Sequence, residues 1–149
     1  MLPRVARNAS EGIWAWRTIR PRFFKAFHSC IVAFASAGND LIVEHVIEHQ
    51  SWYDDIVQLL IPFEVFYVGI HCPMPELERR ERERGDRTIG EGRSHIEDGI
   101  HTWGPYDFEL DSSAQSVKDS AKIVIKAYYN RDAKSAFKKG FENRIQNCE

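Results

Sequence analysis

The chain has 149 residues, of which 20 are basic and 22 acidic, so its formal net charge is −2 at pH 7. This length fits one domain with one hydrophobic core, and we therefore predict a single domain over residues 1–149. The near balance of charges gives no reason to expect a nucleic-acid or membrane partner. The sequence has neither a signal-peptide core nor a run of roughly 20 apolar residues that would span a membrane, so we predict a cytoplasmic protein.

The N-terminal part of the chain predicts one helix and one strand. Residues 1–20 show no strand pattern and form an atypical N-terminal segment. Over residues 21–37, apolar side chains recur every three or four positions, which predicts a helix with Pro21 in its first turn and Gly38–Asn39 as its stop. The run "LIVEHVI" at residues 41–47 is short, continuous and rich in β-branched side chains. Such a run is typical of a parallel strand covered on both faces.

A second helix and two more strands are predicted next. Ser51 precedes Asp54 with the spacing of a capping box, and Pro62 ends the helix. Its predicted buried side chains are Trp52, Ile56, Leu59 and Leu60. "EVFYVGI" at residues 64–70 is a buried-strand pattern, and "YDFEL" at residues 106–110 alternates apolar and acidic side chains. Because helices and strands alternate along the chain, we predict an α/β fold with a mostly parallel sheet.

The C-terminal part predicts one closing helix and a tail. Residues 114–129 carry an apolar stripe at helical spacing, which we expect to be buried: Val117, Ala121, Val124, Ile125 and Tyr128. Residues 130–149 form a polar C-terminal tail, at most a frayed helix, and we find no functional motif in it.

Residues 76–87 form a strongly charged segment between the second and third predicted strands. They include five acidic side chains and five arginines, with Leu77 as the one large apolar residue. One interpretation is a solvated helix of balanced charge, stabilised by ion pairs four residues apart. Those pairs are Glu76 with Arg80 and Glu78 with Arg82.

Gly85 favours a second interpretation of this segment. It breaks the helix between Arg84 and Arg87, which would place both guanidiniums beside a hinge. Arginine suits multidentate contact with phosphate oxygens. We therefore predict that residues 76–104 form an arginine-bearing lid region that closes over a nucleotide.

Two stretches, "VGIHCPMPELERRERERGDRTIGEG" and "GPYDFELDSS", resemble a known family, the chloramphenicol phosphotransferase family of nucleotide-dependent kinases. The resemblance covers about residues 21–113, and its most specific part is the pattern C-P-x-x-x-L-E-R-R-E-x-x-R-G-D-R at residues 72–87. It implies a three-layer P-loop-kinase fold, with a parallel sheet and flanking helices. It also implies an enzyme that uses ATP and Mg²⁺ to phosphorylate a hydroxyl group of a small molecule.

The resemblance suggests roles for several residues. Arg84 and Arg87 match the family's lid arginines, which contact the phosphates of ATP. The loop near the adenine would contain Asp111, Ser112 and Ser113. Independently of the resemblance, we predict that His95, Asp98 and His101 line a substrate pocket above the sheet, in a region that departs from the antibiotic-modifying enzyme's sequence. Gly90-Glu91-Gly92 is interpreted as a flexible part of the lid.

Glu44 interrupts the apolar run of the predicted strand at residues 41–47, where relatives of this fold often carry paired acids, and it is a candidate for positioning magnesium or its waters. A strand-end polar residue without a role is an equal alternative. We assign no catalytic residue and no metal-ligating cluster in this chain.

The chain differs from the family at its N-terminal side. Family members begin with a strand, a G-x-x-x-x-G-K-[ST] loop and a helix, followed by an aspartate that acts as general base, and these 149 residues contain none of them. The chemistry needs that loop because its backbone N–H groups and its lysine hold the phosphates. The family's first strand is central, between the strands predicted here at residues 41–47 and 64–70. We therefore expect an incomplete sheet whose central strand is missing.

Two functional hypotheses follow, and the sequence leaves open whether the chain is an enzyme. In the first, it is a small-molecule O-phosphotransferase that is inactive as these residues alone. In the second, it is a non-catalytic remnant, a binding or assembly module completed by a partner chain or by homodimerisation. The acceptor hydroxyl is not identified by the sequence.

Overall fold

The computed structural model describes residues 9–85 and 89–146, which form a mixed α/β structure. The elements in these ranges are α1 (Ala9–Ser36), α2 (Gln50–Leu60), β1 (Val68–His71), α3 (Met74–Arg84), α4 (Glu91–Glu97), β2 (Phe108–Asp111), α5 (Val117–Tyr129) and α6 (Ala136–Gln146). Among these helices, none combines the length and the apolar character that crossing a membrane would require. The chain divides into two compact units, Met1–Val43 and Glu44–Glu149.

The first unit contains α1, which is longer than the predicted helix. It begins at Ala9, so Pro21 lies inside the helix rather than in its first turn, and the predicted start was wrong. A proline removes one helical hydrogen bond, and here the helix continues on both sides of that loss. The predicted end is confirmed. Gly38 has a φ of 83° and donates to the Ala35 carbonyl, while Asn39 donates to the Phe34 carbonyl, which is the Schellman arrangement.

Residues 41–48 have no regular secondary structure, so the predicted strand at residues 41–47 was wrong. Ile42 is fully exposed, and Leu41, Val43 and Val46 are exposed as well. A strand requires hydrogen bonds from a neighbouring strand, and within residues 9–85 and 89–146 the segment pairs with neither β1 nor β2. Its β-branched composition is therefore not sufficient to make it a strand.

The sheet of the second unit consists of β1 and β2, which pair in parallel from Val68 opposite Phe108 to His71 opposite Asp111. The predicted strands at residues 64–70 and 106–110 are thus found, each shifted towards the C-terminus, and the parallel direction predicted for the sheet is confirmed. This two-stranded sheet is smaller than the three-layer sheet that the resemblance implies. The missing central strand stays a prediction.

The core of the second unit lies around Tyr53, whose side chain is fully buried. Its ring lies 6.0 Å from the ring of Tyr67 and 5.9 Å from that of Phe137. The α2 side chains that are buried are Tyr53, Ile56, Val57 and Leu60, whereas Trp52 and Leu59 are only partly buried. The N-cap of α2 is His49, so the predicted capping box at Ser51 was wrong. The predicted end before Pro62 is confirmed.

The two C-terminal helices differ from their predictions in opposite ways. Ala136 and Phe137 of α6 are buried, so the segment predicted as a polar tail contributes to the core. Ser116 caps α5 by accepting a hydrogen bond from the Asp119 N–H. The apolar stripe of α5 was predicted to be buried, but Val117 is 89 % exposed and Ile125 is 55 % exposed. Val124 is half-buried and the Tyr128 ring lies 5.6 Å from that of Phe66, so the described residues cover this stripe only in part.

Candidate functional site

The carboxyl ends of β1 and β2 meet at one edge of the sheet, where the candidate site lies. His71 ends β1 opposite Asp111, and the Ser112 N–H donates to the His71 carbonyl at 2.8 Å. Asp111 Oδ1 accepts hydrogen bonds from the hydroxyl and the N–H of Ser113, each at 2.7 Å. Both bonds lower the pKa of the Asp111 carboxyl. Ligands of parallel α/β sheets commonly bind outside this edge.

Arg80 of α3 contacts the turn after β2. Its Nη1 donates to the Ser112 hydroxyl at 3.0 Å and its Nη2 to the Ser112 carbonyl at 2.9 Å. Its Nε donates to Glu76 Oε1 at 2.7 Å, which confirms the predicted Glu76–Arg80 pair. Hydrogen bonds from Arg79 and Arg80 lower the pKa of Glu76 to about 2, so this carboxylate is ionised at neutral pH. Arg80 therefore connects the charged helix to the strand-end edge through oriented, charge-assisted bonds.

A different face of α3 holds α4. Glu81 is 8 % exposed, and its carboxylate accepts hydrogen bonds from the N–H of Gly90 at 3.0 Å and from that of Gly92 at 2.6 Å. A Cβ added to Gly92 would lie 2.8 Å from Leu77 Cδ2, so glycine allows this close approach. Arg93 Nε donates to Glu78 Oε1 at 3.0 Å. Gly90-Glu91-Gly92 thus begins a packed helix, in contrast to the flexible segment that we predicted.

Two histidines pack together beside the end of β1. The rings of His71 and His101 are 4.1 Å apart between centroids. His71 Nε2 is hydrogen-bonded to Glu109 Oε2 and His101 Nδ1 to the Tyr106 hydroxyl, both at 2.8 Å. Burial, and then the proximity of His71, lower the pKa of His101 below its ordinary value. Burial raises the pKa of Tyr106.

This geometry can be compared with known proteins. A family model described as "Chloramphenicol phosphotransferase-like protein" matches residues 2–129, which is most of the chain. The chain belongs to the chloramphenicol phosphotransferase-like family. The match includes α3, α4 and both strands.

Two relatives from Mycobacterium tuberculosis, one from strain CDC 1551 and one from strain H37Rv, are each named "Putative O-phosphotransferase". Each is 34 % identical to this chain over 118 residues, which is 76 % of this chain and 52 % of the relative. The chain therefore spans about half the length of these curated relatives. No solved structure matches the chain.

Of the sequence pattern at residues 72–87 that resembles the family, the structure describes residues 72–85. Cys72 follows β1, and the charged helix ends at Gly85, whose φ of 67° confirms the predicted break. Arg84 is the last residue of α3 and is exposed. Arg87 lies outside the described residues.

The three residues predicted on the substrate side have different surroundings. His101 belongs to the pair with His71 at the end of β1. His95 lies on α4, with its Nε2 3.9 Å from Glu48 Oε1. Asp98 follows α4 and is exposed. Only His101 among them is thus part of the strand-end site, and a shared pocket stays a prediction.

The predicted magnesium-side residue, Glu44, is exposed on the irregular segment at residues 41–48. Within the described part of the chain, no group of three or more His, Cys, Asp or Glu side chains is arranged to hold a metal ion. The role of Glu44 stays a prediction.

A cavity of about 210 Å³ lies away from the strand-end edge. Its lining residues precede the strands, lie between α5 and α6, or belong to the start of α6, and include Glu64, Asp107, Arg131 and Lys138. Arg131 pairs with Glu64 and its guanidinium lies 3.8 Å above the Tyr128 ring, so its charge is already engaged. We assign this cavity no role in the site.

Sequence reasoning missed the contacts that organise the site. It identified the charged helix and the Glu76–Arg80 pair, but it did not connect Arg80 with Ser112, 32 positions away. It also treated Glu81 as one of several solvated acids. The one available signal was spacing, because Leu77 and Glu81 are four residues apart and lie on the same helix face. The partner of Glu78 was predicted as Arg82, whereas the structure pairs Glu78 with Arg93.

Proposed function

We propose that this chain is part of an ATP-dependent O-phosphotransferase, which transfers the terminal phosphoryl group of ATP to a hydroxyl group of a small molecule. The observation that carries the proposal is the anchoring of α3 by Arg80 onto the turn that contains Ser112. Arg84 lies one helical turn further along α3, about 6 Å beyond Arg80. The family's arginine motif is thereby attached to the edge of the sheet at which ligands of such folds bind.

In this proposal, Arg84 and Arg87 contact the phosphates of ATP. Guanidinium groups bind phosphate oxygens with paired, charge-assisted hydrogen bonds, and they stabilise negative charge that develops during phosphoryl transfer. The adenine lies near the turn formed by Asp111, Ser112 and Ser113. His101 faces the acceptor molecule, together with His95 and Asp98. In the overall reaction the acceptor hydroxyl gives its proton to the family's aspartate base, which these 149 residues lack, and its oxygen bonds to the γ-phosphorus. The bond from that phosphorus to the β-phosphate oxygen breaks, and ADP leaves.

These 149 residues supply only part of this machinery. The 149 residues contain no G-x-x-x-x-G-K-[ST] loop, whose backbone N–H groups and lysine would hold the β- and γ-phosphates. Mg²⁺, when bound, would neutralise phosphate charge, and Glu44 is the residue of this chain that we propose on its side. We therefore propose that these residues alone bind polyphosphate weakly and do not catalyse transfer.

Exposed apolar surface supports the second candidate function, a non-catalytic module completed by a partner chain or by homodimerisation. Ile42 and Val43 are exposed on the irregular segment, and Val117 and Ile125 are exposed on α5. Large exposed apolar patches commonly mark interaction surfaces. The two candidates differ in whether the arginine end of α3 retains affinity for phosphate.

A titration tests the proposed function. Tripolyphosphate or ATP is added to the 149-residue chain at low ionic strength while the amide signals around Gly85 are followed by NMR. We expect shifts that fade as salt is added, and that disappear when Arg84→Ala and Arg87→Ala are combined. Arg82→Ala, on the same helix and also exposed, is the matched control and should keep the shifts. Absence of shifts in the unmodified chain, or equal shifts in the double variant, would contradict the proposal.

A further inference from the structure

Glu81 forms hydrogen bonds with the residue that ends α3 and with the first residues of α4. Its backbone carbonyl accepts the hydrogen bond from the Gly85 N–H, at 3.2 Å, that ends α3. Its side-chain carboxylate accepts the hydrogen bonds from Gly90 and Gly92 at the start of α4. One residue therefore binds both ends of the connection, through two different groups.

The start of α4 depends on this carboxylate because it has no cap of its own. Gly90 is the N-cap residue, with a φ of 92°, and has no side chain that could accept a hydrogen bond from the first helical N–H groups. Unpaired N–H groups at a helix start need an acceptor, and a negative charge there is favourable. Glu81 supplies both from the neighbouring helix.

The packing between the helices makes the position of this carboxylate specific. The missing Cβ of Gly92 leaves room for Leu77, and a Cβ there would also lie 3.0 Å from Glu81 Oε1. The neighbouring ion pair of Glu78 with Arg93 lies on the same side of α3. The Glu81 carboxylate can therefore reach the Gly92 N–H only when α3 and α4 lie as close together as they do here.

We propose that Glu81 is a positioning residue for phosphate binding: by capping α4 from α3, it holds the start of α4 against the end of α3, where Arg84 lies. This inference rests on the proposed function. It assigns a role to an acidic residue of a motif whose arginines would bind the ligand. An acid near an anion site weakens binding by charge repulsion, so its presence there requires a compensating structural contribution.

Whether removing the Glu81 charge strengthens or weakens the binding of phosphate tests this inference. Glu81→Gln removes one negative charge and leaves a single acceptor oxygen for two N–H groups. Simple electrostatics predicts tighter binding of tripolyphosphate, whereas the positioning role predicts binding weaker by roughly fivefold, since mispositioned contacts lose affinity. Glu83→Gln is the matched control: it removes the same charge from the same helix, but Glu83 is exposed and pairs with Arg79. It should leave the affinity unchanged or slightly raised.

Two measurements on the 149-residue chain separate the outcomes, namely tripolyphosphate affinity by NMR titration and hydrogen exchange of the Gly92 amide. Faster exchange with weaker binding in Glu81→Gln supports the inference. Faster exchange with unchanged or tighter binding overturns it and leaves the proposed function intact. If the unmodified chain does not bind tripolyphosphate, the proposed function fails and the inference fails with it.

Gly92→Ala provides a second variant in which every charge is retained. The added methyl group would meet Leu77 and Glu81, and we expect it to displace α4 and to weaken tripolyphosphate binding in the same direction. Circular dichroism establishes that each variant remains helical. A folded Gly92→Ala chain with unchanged affinity would overturn the inference even if Glu81→Gln did not fold.

Discussion

Replacing Arg80 by alanine tests whether α3 is anchored to the sheet edge as the structure indicates. The change removes two hydrogen bonds to Ser112 and one to Glu76. A buried hydrogen bond to a charged group contributes about 1.5–3 kcal/mol. Because the Arg80 side chain is 42 % exposed, solvent screening reduces each contribution to about 0.5–1 kcal/mol. For the three bonds together, we therefore expect the free energy of unfolding to fall by about 1.5–3 kcal/mol.

Arg79→Ala is the matched control for this prediction. Arg79 precedes Arg80 on the same helix, is 50 % exposed, and pairs with Glu76 and Glu83 within α3. Its loss should lower the free energy of unfolding by no more than about 0.5 kcal/mol. Urea denaturation of both variants, and of Ser112→Ala alone and combined with Arg80→Ala, gives the coupling energy of the contact. Equal losses for Arg79→Ala and Arg80→Ala, or no coupling with Ser112, would refute the anchoring.

Three further predictions concern the histidine pair, the core and the exposed surface. The lowered pKa of His101 means that the folded chain favours the neutral ring. The stability that this group contributes is therefore present above its unfolded pKa and is lost as pH falls through the folded pKa. We expect the melting temperature to fall less between about pH 7.5 and about pH 5.5 in His101→Gln than in the unmodified chain. Asp107→Asn should cost about 1–3 kcal/mol in urea denaturation, because the carboxylate accepts the Tyr67 N–H at 2.7 Å and the Ala136 N–H at 2.5 Å, whereas the exposed Asp132→Asn should cost little. An added N-terminal strand, loop and helix of the family type, of about 35 to 40 residues, should raise the melting temperature and reduce light scattering from self-association; equal melting of a monomeric chain without the segment would favour a self-sufficient domain.

Local features of the fold were predictable from the sequence because their causes are local. Gly85 is the one residue near the end of α3 that adopts a positive φ without strain, and the observed helix ends there. The pairing of Glu76 with Arg80 follows from helical spacing. The positions of β1 and β2 followed from short apolar runs, although their bounds moved by several residues.

The failures share a physical cause, which is dependence on a distant partner. Residues 41–47 have the composition of a strand, but a strand exists only when another strand pairs with it. The stripe of α5 is spaced for burial, but burial needs a covering element, and Val117 remains exposed. The contacts of Arg80 with Ser112 and of Glu81 with Gly92 join residues far apart in the chain, so helical spacing alone did not identify them.

Phosphoryl transfer itself tests the central claim most directly. Kinase-free preparations of the 149-residue chain, with and without a family-type N-terminal segment that carries G-x-x-x-x-G-K-[ST] and the aspartate base, are incubated with ATP and a panel of small alcohols that includes chloramphenicol. We predict acceptor-dependent formation of ADP and phosphorylated alcohol only with the segment, and loss of that activity when Arg84→Ala and Arg87→Ala are combined. Turnover by the 149 residues alone that is lost in the double variant would contradict the account. So would full activity of the extended chain in the double variant, or no transfer to any acceptor by an extended chain that folds and binds ATP.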